Sequence, residues 1–147
     1  MSNDSGFDFT DLDTKTAADA GTVVHLEHPG TGDPLYDEKQ NPITITVLGS
    51  DSEKVRKLVR QQADKRFERM RRQKEGVTSA AIESDAVARM VAATVAWQGV
   101  KLDGQVLECN EQNARKLYGD PRFPWIAEQV EKAIEDRQRF FKSASQS

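Results

Sequence analysis

Two histidines, one cysteine and several acidic pairs are the side chains of this sequence with the types that chemistry uses. His25 and His28 lie three residues apart in "HLEHPGTGDP". They would hold a metal only with further ligands, and Asp33, Asp37 and Glu38 are the nearby carboxylates. A structural zinc site needs four defined ligands, and nothing in this spacing fixes them. The reading is two solvated loop histidines and no metal. The glycines of "HPGTGDP" lack the Gly-x-x-x-x-Gly-Lys-[Ser/Thr] pattern, and the stretch opens no helix. A phosphate cradle needs consecutive N–H groups aimed from a helix start, so this is read as a surface loop. Cys109 has no histidine close in sequence to act as its base, as a thiol nucleophile requires. Its place just before a helix start would lower its pKa modestly. It reads as a small, half-buried residue. Glu128, Glu131 and Glu135 read as solvated charges on one helix. No catalytic, metal or cofactor site is expected, and the chain reads as non-enzymatic.

Charge is the stronger signal. The 147 residues carry a net charge of −3, unevenly spread. Residues 1–20 hold five Asp and one Lys, a net of −4, whereas residues 53–75 hold ten Lys/Arg and four Asp/Glu, a net of +6. A basic helix is able to track phosphates. Here the cations spread around the helix, no helix-turn-helix or aromatic platform accompanies them, and the pI is near 5.5. Complementarity to an acidic protein surface is therefore favoured over nucleic acid. One cysteine excludes an internal disulfide framework and suits a reducing compartment. The longest apolar run, near Met90 to Trp97, is too short to span a bilayer. The acidic start is neither a secretory signal nor a transit peptide. A cytoplasmic protein is expected.

The elements that must position these groups follow from periodicity. Residues 1–20 are polar apart from Phe7 and Phe9, and are read as an acidic flexible tail. Residues 21–49 read as a β-hairpin with a long loop over 29–42. Ile43, Ile45 and Val47 alternate with threonines, the period of a half-buried strand. A lone hairpin is marginal in water, so it must pack on helices. Residues 50–141 read as a helical domain, joined with the hairpin into one unit over 21–141. Ser50-Asp51-Ser52-Glu53 reads as a capping box, Ser50 exchanging bonds with Glu53. Val55, Leu58, Val59, Phe67 and Met70 supply the inner stripe of the basic helix, which Gly76 ends. Ile82, Ala86, Met90, Ala93 and Trp97 form the stripe of a central, most buried helix, which Gly99 ends. Asp103-Gly104 is a tight turn between short extended arms. Asn110 caps a short helix, and Pro124 opens one last helix running to Phe141. Residues 142–147 read as a frayed tail. The expected class is α+β, mainly α-helical: an N-terminal hairpin on a bundle of about four helices.

In this order the segments resemble the tail assembly chaperones of long-tailed, siphophage-like bacteriophages. The resemblance covers about residues 43–141. It rests on a strand followed by "GSDS" and a basic helix, the "WQG" turn, a Gly turn, a short helix and "PWI" with a late Phe. The matching positions are Gly49, Asp51, Ser52, Trp97, Gly99, Gly104, Asn113, Ala114, Pro124, Trp125, Ile126 and Phe141. The family's usual Glu-Asn pair is here Glu111-Gln112-Asn113. The resemblance implies a late phage protein, working in the host bacterial cytoplasm, that binds the helical tape-measure protein and keeps it soluble. It also implies recruitment of tail-tube subunits, and a longer frameshifted product. Residues suited to a client groove are Ile82, Met90, Trp97, Trp125, Ile126, Val130 and Phe141, with Arg56, Arg60, Arg66 and Arg69 as a charged rim. Self-association is compatible with such grooves. The competing reading is a virion structural or DNA-associated protein acting through basic residues 53–75.

Overall fold

The computed structural model describes residues 4–73 and 76–145. Among them the chain is mixed α and β, mainly helical, with six α-helices and a small antiparallel sheet. The helices are α1 (Thr14–Ala20), α2 (Glu53–Gln73), α3 (Ser79–Ala93), α4 (Glu111–Tyr118), α5 (Pro124–Glu135) and α6 (Arg137–Ser145). Strands β1 (Thr22–His25), β2 (Thr44–Val47) and β3 (Thr94–Gln98) form the sheet in the order β1-β2-β3. β4 (Lys101–Leu102) and β5 (Gln105–Val106) form a separate ribbon. No helix among the described residues is long and apolar enough to cross a membrane.

The expected hairpin is present, with Val24 opposite Ile45, but it is two-thirds of the sheet. β2 is the central strand, and its Ile45 and Val47 are fully buried. Its second edge is filled by residues 94–98, with Trp97 opposite Ile45. This corrects the expectation that Trp97 closes the central helix. α3 ends at Ala93, and Thr94 already has extended dihedrals. The free edge of β2 offers a ladder of hydrogen bonds, and β-branched Thr94 and Val95 favour extended backbone. A stripe that continues from helix into strand keeps an apolar look at either period. Gly99 therefore ends a strand, where the expectation was a helix end, and its φ is +78°.

The loop over 29–42 is folded, and both histidines hold it. Leu35 N–H donates to the Leu26 carbonyl and Ile43 N–H to that of Leu35. The His28 Nδ1 accepts from the N–H groups of Gly30 and Thr31, at 3.0 and 3.2 Å. The His25 Nε2 lies 2.8 Å from the Leu35 carbonyl oxygen, and its ring meets Tyr36 edge-on. His25 is thus half-buried where a solvated residue was expected, whereas His28 is solvated as expected and still organises the turn.

Both ends of the chain meet at the Gly49–Ser52 junction. Residues 14–20 were expected to be flexible, yet they form α1, with Ala17 and Ala18 buried against the body. A Cβ on Gly49 would fall 2.7 Å from the Ala18 Cβ and 3.1 Å from the Phe140 ring. Small residues let α1, α6 and the junction approach this closely. Gly49 N–H donates to the Ala18 carbonyl, and Ser50 N–H to that of Ile134. Ser50 therefore makes no capping box with Glu53. The cap of α2 comes from two other residues. Ser52 Oγ, fully buried, accepts from Val55 N–H at 3.4 Å, and Asp19 Oδ1 of α1 accepts from Glu53 N–H at 2.9 Å. A helix start leaves several N–H groups without partners inside the helix, and a carboxylate from α1 takes one.

The remaining corners follow local signals. Asp103 and Gly104 both have positive φ, +51° and +81°, as a two-residue hairpin turn demands. Arg122 grips this turn through Asp103 at 2.9 Å and grips Asp120 at 2.9 Å. Asn110 Oδ1 accepts from Asn113 N–H at 2.8 Å, and Pro124 stands in the first turn of α5. The last helix, expected to be single, breaks at Asp136, whose ψ is 90°. The break swings α6 back onto α1 and β1 and buries Phe140. α6 continues through Ser145, where Ser143 pairs with Thr22, so residues 142–145 are ordered as its last turn. Residues 146–147 lie outside the described residues.

Candidate partner-binding groove

α2 is 21 residues long and α3 is 15, so the pair extends beyond the body they pack on. Near the body the helices close on apolar residues, Val55 and Met90 being buried. Midway, a polar rung replaces them. Buried Gln62 donates its Nε2 to the Asp85 carbonyl at 3.0 Å and accepts from Arg89 at 3.1 Å, while Arg66 reaches the Asp85 carboxylate at 3.4 Å. Beyond the rung α2 turns Lys65, Arg66, Arg69 and Met70 towards the groove, and Met70, half exposed, does not zip the pair shut. A groove of about 280 Å³ opens there, floored by Leu58, Met70, Val77 and Ala81 and rimmed by those cations and Arg115.

Exposed apolar groups stand on this pair of helices and the turn between them, and of these Met70 and Val77 line the groove. Phe67 is 71% exposed and Ile82 54%, with Val59, Met70 and Val77 also exposed. Exposed apolar groups beside a groove edged by charge mark interaction sites in monomeric proteins. The chemistry of the groove is binding: apolar contact in the middle and cations at the edge.

The residues expected to form one client surface are thereby separated. Met90, Ile126 and Val130 are buried in the core and line no surface. Trp97, Trp125 and Phe141 are half-buried against that core, and the Trp97 indole donates to the Leu107 carbonyl at 2.7 Å, tying β3 to the β4–β5 ribbon. Ile82 alone of the apolar set lies on the exposed arm. Arg66 and Arg69 line the groove. Arg56 and Arg60 are exposed nearer the start of α2, where Arg60 pairs with Glu53 at 3.6 Å. Of the motif residues, Gly99 approaches Ile43 so closely that a Cβ would sit 2.5 Å from its Cδ1.

The sequence reading missed Phe67 and Met70 as surface groups because it assigned them to an inward stripe. A signal was present: Gln62, Arg66 and Arg69 stand at helical spacing from Val55 and Leu58, so the inward face turns polar halfway along. Cys109 is half-buried, and burial pushes its thiol up, against the modest lowering expected from the helix start. α4 begins at Glu111, whose carboxylate lies in its first turn. Among the described residues no group of three His, Cys, Asp or Glu is placed to hold a metal ion. The chain matches no protein-family model, no curated protein and no solved structure.

Proposed function

We propose that this protein is a non-enzymatic tail assembly chaperone of a long-tailed bacteriophage. On this reading it binds the tape-measure protein in the host cytoplasm, keeps it soluble and helps recruit tail-tube subunits. The observation that carries the reading is the α2–α3 arm, where Met70 and Val77 line a groove edged by Lys65, Arg66 and Arg69, and Phe67 and Ile82 stand exposed on the same two helices outside it. A long helical client presents apolar stripes that aggregate when bare. An amphipathic helix is recognised by apolar anchors laid in a groove, with charge at the edges setting orientation and encounter rate. The basic rim selects a client segment with acidic flanks. The resemblance in segment order supports the same conclusion.

Co-expression with the adjacent tape-measure gene tests it. The client is expected to stay soluble and to co-purify, and Phe67→Gln with Met70→Gln is expected to abolish both. A client that stays insoluble beside the wild-type chain overturns the reading. The competing DNA-associated reading has its own measurement. Phosphate contacts make affinity fall steeply with salt, so binding of duplex DNA at low salt that collapses as salt rises would favour it.

A further inference from the structure

We propose that the groove between α2 and α3 receives residues 7–12 of a second copy of this chain. The segment and the groove are each incomplete alone, and they complement each other in charge and shape. Phe7 is 68% exposed and Phe9 76%, and Leu12 is exposed beside them. The two rings lie 5.7 Å apart, centroid to centroid, and neither belongs to the core or to the half-buried groups packed on it. Asp8 and Asp11 interleave with them, and the segment holds no cation before Lys15. The groove carries the opposite pattern. Lys65 and Arg69 make no ion pair among the described residues, the Asp85 carboxylate in the groove is paired with Arg66, and Leu58, Met70, Val77 and Ala81 line the same groove. A cavity of about 150 Å³ holds a benzene ring, so about 280 Å³ accommodates one phenyl ring and part of a second apolar side chain.

The chain does not fill its own groove, since Phe7, Phe9 and Leu12 stand exposed and none of them lines it. Asp19 fastens α1 to the start of α2 at Glu53, and α1 packs along α6. The groove runs along α2 from Leu58 to Met70, roughly 8 to 25 Å from that cap at 1.5 Å per residue. Residues 9–12 form a 3₁₀ turn that Asp8 caps at Thr10, and reaching the groove in cis requires that turn to unwind. A second copy delivers the segment as it stands, and two copies exchanging segments close a symmetric pair. The inference concerns this chain alone and does not rest on the tail-assembly reading.

Sedimentation of the full chain without client tests it. Concentration-dependent association is expected, at least tenfold weaker at high salt than at low salt because the exposed charges are screened. Phe7→Ser with Phe9→Ser, and separately Met70→Glu, are expected to weaken it by at least tenfold with unchanged circular dichroism. Asp8→Arg with Asp11→Arg is expected to abolish association, and Lys65→Glu with Arg69→Glu on a second chain to restore it in the mixture. A photo-crosslinker at position 7 is expected to give an interchain adduct on α2 or α3. A monomer at every concentration in low salt, association that survives the Phe7 and Phe9 changes, or an intrachain adduct would each overturn the proposal.

Discussion

Arg137 holds Asp51 through two hydrogen bonds, 2.6 Å from Nε and 3.1 Å from an Nη, across 86 residues of chain. The pair pins the start of α6 to the junction between β2 and α2, where α1 also docks. Arg137 lowers the Asp51 carboxyl below its ordinary value, with a further contribution from the Thr14 hydroxyl. A depressed folded pKa contributes stability that is present above the unfolded pKa, about 3.9 for Asp, and is lost as pH falls through the folded value. Asp51→Asn is therefore expected to lower the melting temperature at neutral pH and to flatten the acid limb of stability below about pH 3.9. Thermal melts from neutral to strongly acidic pH check this. An acid limb as steep as in the wild type would show that the pair contributes nothing.

Asp19 is expected to behave as the missing cap of a helix to which it does not belong. Its carboxylate takes the Glu53 N–H at 2.9 Å and also pairs with Lys15 at 2.9 Å. Loss of a capping carboxylate costs about 1 kcal/mol. Asp19→Ala is expected to destabilise the chain by about that much in urea unfolding, whereas Lys15→Ala, which leaves the cap in place, has a smaller effect. Equal losses from the two changes would assign the stability to the ion pair.

How much of this was legible differs by the range of the cause. Asn110, Pro124 and Asp103-Gly104 act on their own neighbours, and each performs the role its residue type announced. Trp97 was misplaced because the strand at 94–98 exists to satisfy an edge of β2 some 50 positions earlier, at Thr44–Val47. Residues 14–20 looked flexible since only Ala17 and Ala18 are buried, and alanine carries little apolar signal. The Asp19 cap is equally silent, since donor and acceptor are 34 residues apart. The binding arm was half-visible. Its basic composition was read correctly, while the outward placement of Phe67 depends on how far α2 outruns the body.

Tyr118 carries the alkaline side of stability. Thr94 donates its hydroxyl proton to the Met90 carbonyl, so the phenol donates to Thr94 Oγ1 at 2.6 Å. Burial pushes the Tyr118 pKa up to about 12. A raised pKa on an acid contributes stability that is full below the unfolded value, about 10, and is lost as pH rises from there towards the folded value. The Tyr118 phenolate absorbance is expected to appear together with unfolding. Tyr118→Phe is expected to cost about 1 kcal/mol at neutral pH, the net worth of one hydrogen bond, and to be less sensitive to pH above about 10. A phenolate that forms while the chain stays folded would contradict the burial.

Gly99 meets two constraints that can be separated. Its φ of +78° costs a side-chain-bearing residue about 1–3 kcal/mol, and a Cβ there strikes the end of the Ile43 side chain. Gly99→Ala is expected to lose stability in that range, and Gly99→Val to lose more. Ile43→Val in the Gly99→Ala background is expected to return the steric part only. Full recovery in a double-mutant cycle would mean that the backbone conformation itself carries no cost.

Met90 and Phe67 separate folding from binding. Both sit at apolar positions of a helix, but Met90 is buried in the core and Phe67 stands in solvent. Truncating a buried methionine to alanine costs about 2–5 kcal/mol through lost transfer energy and the cavity left behind. Exposed substitutions stay within about 0.5 kcal/mol. Met90→Ala is thus expected to lower stability strongly, and any loss of client retention should track the unfolded fraction and recover on cooling to where the chain refolds. Phe67→Gln is expected to melt with the wild type and still fail to retain the tape-measure protein. If Phe67→Gln retains the client fully, the apolar arm is not the contact, and the charged rim alone must account for any binding that remains.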